Sequence, residues 1–320
     1  MEKFADLFLN TSLYKQLASQ IQNDTFSQTH IISSIDEFSN QILSRLISFA
    51  LICKNKSFCG QCEECIKLKS QSHPDLKQFA TDKSFVVADA ASILDDVYKS
   101  SYSGNKVYII NNIDLATVPA QNKLLKILEE PPKNVYFILN TTNPSSVLQT
   151  ILSRAIKISL KPFDYQDLKQ YFSLNNLEFN DNAYSYGQGY IGKILQFEND
   201  AKFQSVFSQT LEILQKVQKS SDIILYSENI KKDDMNIFLN ALQIFISDLM
   251  YIKTNNHDLI KSSYKQSLIQ LSSQFSLGAI SHINKNIVIA SQHLGANVNY
   301  ALVKDKLLLS ILEAKYIYKD

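Results

Sequence analysis

Residues 106–154 read KVYIINNIDLATVPAQNKLLKILEEPPKNVYFILNTTNPSSVLQTILSR, and this stretch decides the fold. Val107 to Ile110 is a short apolar run without polar alternation, the pattern of a parallel strand covered on both faces. Pro119 to Glu130 has helical spacing: Ala120, Leu124, Ile127 and Leu128 share one face, and Pro119 suits a first turn. Pro131-Pro132 then forces a stop. Val135 to Asn140 repeats the buried-strand pattern. Outward from this stretch, His30–Ser33, Leu76–Phe79 and Ile156–Leu160 are further strand candidates, with helical stretches between them. Strands alternating with helices predict a parallel α/β sheet.

The residues after Val107–Ile110 carry chemistry by what they lack. In a P-loop ATPase, such a strand is followed by an Asp that helps hold Mg²⁺ and often by a Glu that orients the attacking water. Here those positions are Asn111 and Asn112. Asn has the shape of Asp without the anionic oxygen that a hard cation prefers. The other half of such a site is G-x-x-x-x-G-K-[ST], whose glycines let backbone N–H groups reach phosphate. It belongs before the first long helix, which the spacing of Ile42, Leu46, Ile47, Ala50 and Leu51 places at Gln41 to Cys53. The preceding segment, Thr29 to Phe38, has no glycine or lysine and carries Asp36 and Glu37, which repel phosphate. The first glycine of the chain is Gly60. No ATP is expected in this chain's own site.

At 320 residues, two to three domains are expected. An apolar fraction of 45% supports real cores, and a net charge of +1 gives no global attraction to nucleic acid or an anionic membrane. The start, MEKFADLFLN, has an acid at position 2 and no basic-then-apolar pattern, so no signal peptide is expected. The most apolar helix, Ile237 to Ile252, is interrupted by Asn240, Gln243 and Asp248 and does not read as a membrane span. A cytoplasmic protein is the expectation. Lys161-Pro162-Phe163 reads as a boundary. Short helices surround Gly187, Gly189 and Gly192, and after Asp200 the pattern is helical throughout. Phe203, Val206, Phe207, Leu214 and Val217 form one stripe; Phe238, Leu242, Phe245, Ile246 and Leu249 form another.

All four cysteines fall in the spacing C-x5-C-x2-C-x2-C: Cys53, Cys59, Cys62 and Cys65. Four thiolates so spaced form the closed shell of a structural Zn²⁺, with no open position for substrate. The competing readings are four reduced thiols in a loop, or a redox pair in Cys62-x2-Cys65. Disulfides do not suit a cytoplasmic protein.

With these residues in place, the chain resembles the clamp-loader branch of the AAA+ ATPases, and within it the delta prime subunits of the bacterial DNA polymerase III clamp loader. The resemblance rests on His73-Pro74-Asp75 after the cysteines, Asn122 to Pro132 (NKLLKILEEPP), Thr150 to Arg154 (TILSR), and Asn297-Val298-Asn299 ahead of a Leu-rich last helix. It runs from about His30 to Leu312. It implies an AAA+-like α/β domain with a zinc-binding insertion (1–163), a small helical lid (164–200) and an all-α collar (201–320). Several departures from the ATPase members agree. The phosphate loop is gone, the two acids are Asn111 and Asn112, and Gly189-Tyr190-Ile191-Gly192 puts Gly192 where a nucleotide-sensing Arg belongs. The resemblance implies a non-hydrolysing stator, partnered by the gamma/tau ATPase subunits and the delta subunit. Such an assembly opens the sliding clamp and places it on primed DNA.

The resemblance further implies that Arg154, with Ser153, is an arginine finger reaching a neighbour's ATP site; Ala155 replaces the family's Cys at a position that carries no charge. Without the resemblance, Arg154 reads as a surface arginine in a salt bridge. Thr141, Thr142 and Asn143 match a polar sensor but read as a turn before Pro144. His73 reads as a turn residue, and Lys123 and Lys126 as an exposed helix face. Two other functions stay open here: an ATP-hydrolysing motor subunit of the same loader, and a stand-alone zinc-dependent nucleic-acid-binding protein.

Overall fold

A computed structural model of the chain describes residues 4–80, 83–296 and 298–318. Asn297, one of the residues carrying the resemblance, lies outside them. They form two compact units, Met1–Pro162 and Phe163–Asp320.

In the first unit the elements run α1 (Ala5–Leu9), α2 (Ser12–Gln22), β1 (Thr29–Ser33), α3 (Glu37–Ile52), α4 (Glu63–Lys69), β2 (Leu76–Phe79), α5 (Val87–Asp96), β3 (Lys106–Ile110), α6 (Val118–Glu129), β4 (Val135–Thr141), α7 (Gln149–Leu152) and β5 (Ile156–Ser159). The five strands make one parallel sheet in the order β2-β3-β4-β1-β5. The continuous apolar runs explain the middle of that order. Every residue of β3 is buried, and so is nearly all of β4. Tyr108 stacks on Phe137 across the β3–β4 pair, with ring centroids 5.2 Å apart. Ala120, Leu124, Ile127 and Leu128 of α6 pack into the same core, as their shared face requires. The strand order reverses beside β1, so the carboxyl ends of β1, β3 and β4 converge where open α/β sheets place their ligands.

The sequence expectation is off at one boundary that matters. Helix α3 starts at Glu37, four residues ahead of Gln41, because Asp36 takes the extended backbone of an N-cap. The loop after β1 is correspondingly short.

The second unit is helical: α8 (Tyr165–Leu174), α9 (Asp181–Gly187), α10 (Ile191–Asn199), α11 (Ala201–Lys216), α12 (Ser220–Asn229), α13 (Met235–Lys253), α14 (Lys265–Ser272), α15 (Leu277–Gly295) and α16 (Tyr300–Tyr316). The two predicted stripes meet: Phe207 of α11 and Phe245 of α13 lie 4.6 Å apart between ring centroids. Tyr186 of α9 packs on Phe197 and Phe203, joining the short helices to the long ones. Gly187 is required by that packing, since a Cβ there would sit 2.5 Å from the Ile194 side chain. The segment Lys232–Lys253 is long and apolar enough to cross a membrane, but 67% of its most apolar window is buried inside the unit. It is the core helix of the bundle. Two lysines of α16 cap other helices: Lys315 Nζ donates to Leu214 O (2.6 Å) and Val217 O (2.9 Å), and Lys304 Nζ donates to Ser227 O (2.6 Å). Such lysines satisfy carbonyls that a helix end leaves orphaned.

Each unit buries one group whose titration opposes the other's. His30 of β1 is 1% exposed and stacked on Phe26 at 4.0 Å, and burial pushes its pKa down to about 4. Asp248 of α13 is 5% exposed, and burial pushes its carboxyl up to about 7. His30 binds its proton more readily when unfolded, so its contribution is full above the unfolded value and is lost as pH falls from about 6.5 to about 4. Asp248 binds its proton more readily when folded, so its contribution is full in acid and is lost as pH rises from about 4 to about 7. Between pH 7.5 and 5 these two groups therefore shift the first unit down and the helical unit up, each by about 2 kcal/mol. Hydrogen exchange at both pH values, with His30→Phe and Asp248→Asn, checks this. Each substitution is expected to flatten the pH response of its own unit alone; an unchanged response in either variant refutes the assignment for that unit.

Candidate functional site

The crevice at the strand ends is assembled from short polar side chains. β1 ends at Ser33 and α3 begins at Glu37, leaving Ser34, Ile35 and Asp36 between them. A phosphate-wrapping loop spans about eight residues, so this connection is too short to make one. The N-terminus of α3, a natural anion site, is furnished with its own acids. Asp36 is 4% exposed and accepts a hydrogen bond from Ser39 Oγ. Glu37 Oε1 accepts from Asn112 Nδ2 at 2.7 Å and from Gln41 Nε2 at 2.8 Å. Asn112 reaches it from a left-handed backbone, φ 48° and ψ 45°.

Beneath these residues a neutral network joins the strand ends. Asn140, at the end of β4, donates from Nδ2 to Asn111 Oδ1 (2.8 Å) and to Ser44 Oγ of α3 (3.0 Å). Asn111 Nδ2 donates to Phe79 O of β2 at 3.3 Å. Asn40 Nδ2 of α3 donates to Thr141 O at 2.9 Å, and Ser34 Oγ lies 2.8 Å from Asn40 Oδ1. Asn111 and Asn140 are only 2% and 1% exposed. The sequence pointed to Asn111 and Asn112 but not to Asn140, Asn40 or Ser44; their only signal was a polar residue at the edge of an apolar run. The Thr141–Asn143 segment makes a turn, with Asn143 N donating to Thr141 Oγ1 at 3.1 Å. Gly192 falls at the second residue of α10.

The cysteines come together as their spacing predicts. Cys53 caps the end of α3 and Cys62 the start of α4, so two helix ends hold the cluster. All four Sγ atoms lie within 4.8 Å of one another. Individual separations are 3.4 Å (Cys53–Cys59), 3.8 Å (Cys53–Cys62) and 3.7 Å (Cys59–Cys65). A tetrahedron with metal–sulfur bonds of 2.3 Å has edges of about 3.8 Å, so the residues fit a four-thiolate metal. Backbone N–H groups of Gln61 and Cys62 hold Cys59 down to about 6, favouring the thiolate that a metal binds, while burial pushes Cys65 up.

His73 does more than turn the chain. The residue is 5% exposed; Nδ1 accepts the Asp75 N–H at 3.1 Å, which leaves Nε2 to donate to Glu64 Oε2 at 2.8 Å. Glu64 is 4% exposed and adjoins the ligand position Cys65 on α4. The Asp75 carboxylate in turn accepts Tyr102 N (3.0 Å) and Ser103 N (2.7 Å). His73-Pro74-Asp75 thus ties the cysteine helix to the β2–β3 edge of the sheet.

Arg154 stands between α7 and β5 with its side chain 30% exposed. Nη1 donates to Thr150 O at 3.0 Å, and Nη2 pairs with Glu129 Oε2 at 2.9 Å. Ser153 Oγ turns back to Thr150 O at 3.0 Å. Lys123 and Lys126 lie on the exposed face of α6, as expected.

The tie between the cysteine helix and the sheet can be broken singly. His73→Ala leaves the Glu64 carboxylate buried without its donor, at an expected local cost of about 2–3 kcal/mol. Faster hydrogen exchange confined to α4 and the loop at Tyr102–Ser103 is the expected result; exchange as in wild type would refute the tie.

Known proteins align with this arrangement. A family described as "DNA polymerase III, delta subunit" matches residues 9–164. The delta prime subunit of DNA polymerase III from Bacillus subtilis is 22% identical over 326 residues, covering 95% of this chain and 97% of that relative. The delta prime subunit from Buchnera aphidicola is 33% identical over 156 residues, covering 45% of this chain and 46% of the relative. The tau/gamma subunit of Haemophilus influenzae is 30% identical over 188 residues; that match takes in 56% of this chain but only 27% of the longer relative. Among solved structures, a gamma subunit-related protein from Thermotoga maritima aligns with a TM-score of 0.43 at 16% identity, covering 95% of this chain and 100% of that one. Over residues 9–164 the chain thus matches the DNA polymerase III delta-subunit family, and over nearly its whole length it is similar to a delta prime subunit.

Proposed function

We propose that this chain is a stator: it binds no ATP in its own crevice, hydrolyses none, and lends Arg154 to the ATP site of a neighbouring clamp-loader subunit. One observation carries the reading. The crevice that would hold nucleotide is closed by a three-residue loop, two acids and a neutral amide network, while a guanidinium of the same unit reaches the surface. A phosphate approaching α3 would meet Asp36 and Glu37, and a Mg²⁺ would find Asn111 in place of a carboxylate. A planar guanidinium beside a γ-phosphate stabilises the charge that develops in the transition state.

The remaining parts follow from that role. Residues 1–163 are the AAA+-like domain, 164–200 the lid and 201–320 the collar that holds the chain in a ring. Leu302, Leu309 and Tyr316 of α16 support the collar: they are 66%, 43% and 56% exposed and seven residues apart, the repeat of a helix face that packs on another helix. The partners are the tau/gamma ATPase subunits and the delta subunit, with the sliding clamp and primed DNA met through the assembled complex, in the cytoplasm. The metal is a structural Zn²⁺ held by Cys53, Cys59, Cys62 and Cys65. Its coordination leaves no open position, so its part is to fix α4 against the sheet. A motor subunit is the less favoured reading, because a loop of this length and charge cannot cradle phosphates.

The test is ATP turnover by the loader reconstituted with tau/gamma and delta subunits, clamp and primed DNA. Arg154→Ala is expected to lower turnover by roughly 10³-fold or more with the complex still assembled. The isolated chain is expected to neither bind nor hydrolyse ATP. Full turnover with Arg154→Ala, or ATP hydrolysis by the isolated chain, sinks the proposal. Elemental analysis is expected to find one zinc per chain, lost in Cys62→Ala; zinc retained in that variant would remove it from the ligand set.

A further inference from the structure

Arg154 is not a loose surface side chain. Thr150 O takes one of its N–H groups and Glu129 takes another, from the opposite terminal nitrogen. Its Nε lies buried and meets no acceptor among the described residues. The guanidinium plane is therefore fixed from two sides, with one N–H on each terminal nitrogen left over.

Glu129 is an odd residue for its place. It is the last residue of α6, where the helix presents partial negative charge and an acid is disfavoured. Its side chain is 57% exposed. An ion pair that open to water contributes little to stability, so stability does not account for the acid. The platform beneath it is rigid. Pro131-Pro132 stops the helix, Thr29 Oγ1 of β1 bonds Leu128 O at 3.3 Å, and Gln28 Nε2 bonds Val135 O at 2.8 Å.

We infer that Glu129 is the positioning residue for Arg154: it holds the guanidinium in one orientation before a neighbour docks, so that the leftover N–H groups are preset for the neighbour's phosphate. This rests on the stator reading above. A free arginine side chain loses rotamer freedom when it is fixed. Holding it in advance removes that cost from the catalytic step. Docking of the neighbour excludes water from the pair and strengthens it. Glu129 touches no reacting atom; it acts through Arg154 alone.

The reconstituted loader tests this with Glu129→Ala, Glu129→Gln, Arg154→Ala and the Glu129→Ala/Arg154→Ala double variant, assembly being checked by native mass spectrometry. Glu129→Ala is expected to lower kcat by about tenfold with KM for ATP unchanged. Glu129→Gln keeps an acceptor oxygen and is expected to recover most of the loss. The double variant is expected to be no slower than Arg154→Ala, because the two act as one unit. If Arg154→Ala slows turnover while Glu129→Ala does not, positioning by Glu129 is wrong and the stator reading stands. Faster turnover with Glu129→Ala makes Glu129 a restraint and overturns the inference. If neither variant slows turnover, the stator reading has itself failed.

Discussion

Asn140 sits where the first unit is most tightly cross-linked. Its amide nitrogen bonds Asn111 at the end of β3 and Ser44 on α3, and its own backbone belongs to β4. Two strands and the first long helix are therefore pinned to one buried point. The pinning works because every group in it is neutral. Two amides and a hydroxyl bury at far lower cost than a carboxylate, which would need a cation to offset its desolvation; among the described residues Asn140 Oδ1 alone of the three side chains' oxygens is left without a partner. An ATPase keeps such an acid because Mg²⁺ and nucleotide complete the site. In this chain amides stand there instead and bond one another, so no charge is buried at the sheet's carboxyl edge at these positions.

That economy leaves charge elsewhere. Asp36 and Glu37 occupy the N-terminus of α3, where helix dipole and N–H groups favour anions. The same electrostatics that would have drawn a phosphate now holds the chain's own carboxyl groups. Arg154, between α7 and β5, instead pairs with Glu129 at the end of α6. The network and the ion pair do opposite things with water. One excludes it to close a crevice; the other stays open to solvent, where a second protein can reach it.

Much of this was legible in the sequence because the signals were local. The apolar runs of β3 and β4, the Pro131-Pro132 stop and the cysteine spacing each act within a few residues, and each gave the element that forms. Asn111 and Asn112 were legible because the loss of a charge shows at a single position. The partners were not legible. Asn140 lies 29 residues from Asn111 and 96 from Ser44, and nothing in a polar residue at the end of an apolar run says which side chain it will meet. His73 reads as a turn residue for the same reason, since its bond to Glu64 depends on how α4 folds back. The start of α3 is hidden in the sequence because Asp36 shows there as a charge, while its capping backbone shows only in the fold.

The cysteine cluster and the amide network are two solutions to one problem at opposite ends of α3. A long helix beside a sheet leaves unsatisfied groups at both termini. At its start, Asp36 and Ser34 occupy the terminus and Asn40 bonds the end of β4. At its end, Cys53 leaves the helix with an extended backbone and turns the chain into the four-thiol cluster, while Asn105 Nδ2 bonds Leu51 O at 2.6 Å. From there, Glu64, His73 and Asp75 carry the restraint to the loop before β3, the strand that Asn111 follows. Helix α3 is thus held at both ends by polar chemistry that leads to β3. A metal at the cluster would stiffen the same sheet whose carboxyl edge the amide network cross-links, so both ends of α3 restrain one strand, β3.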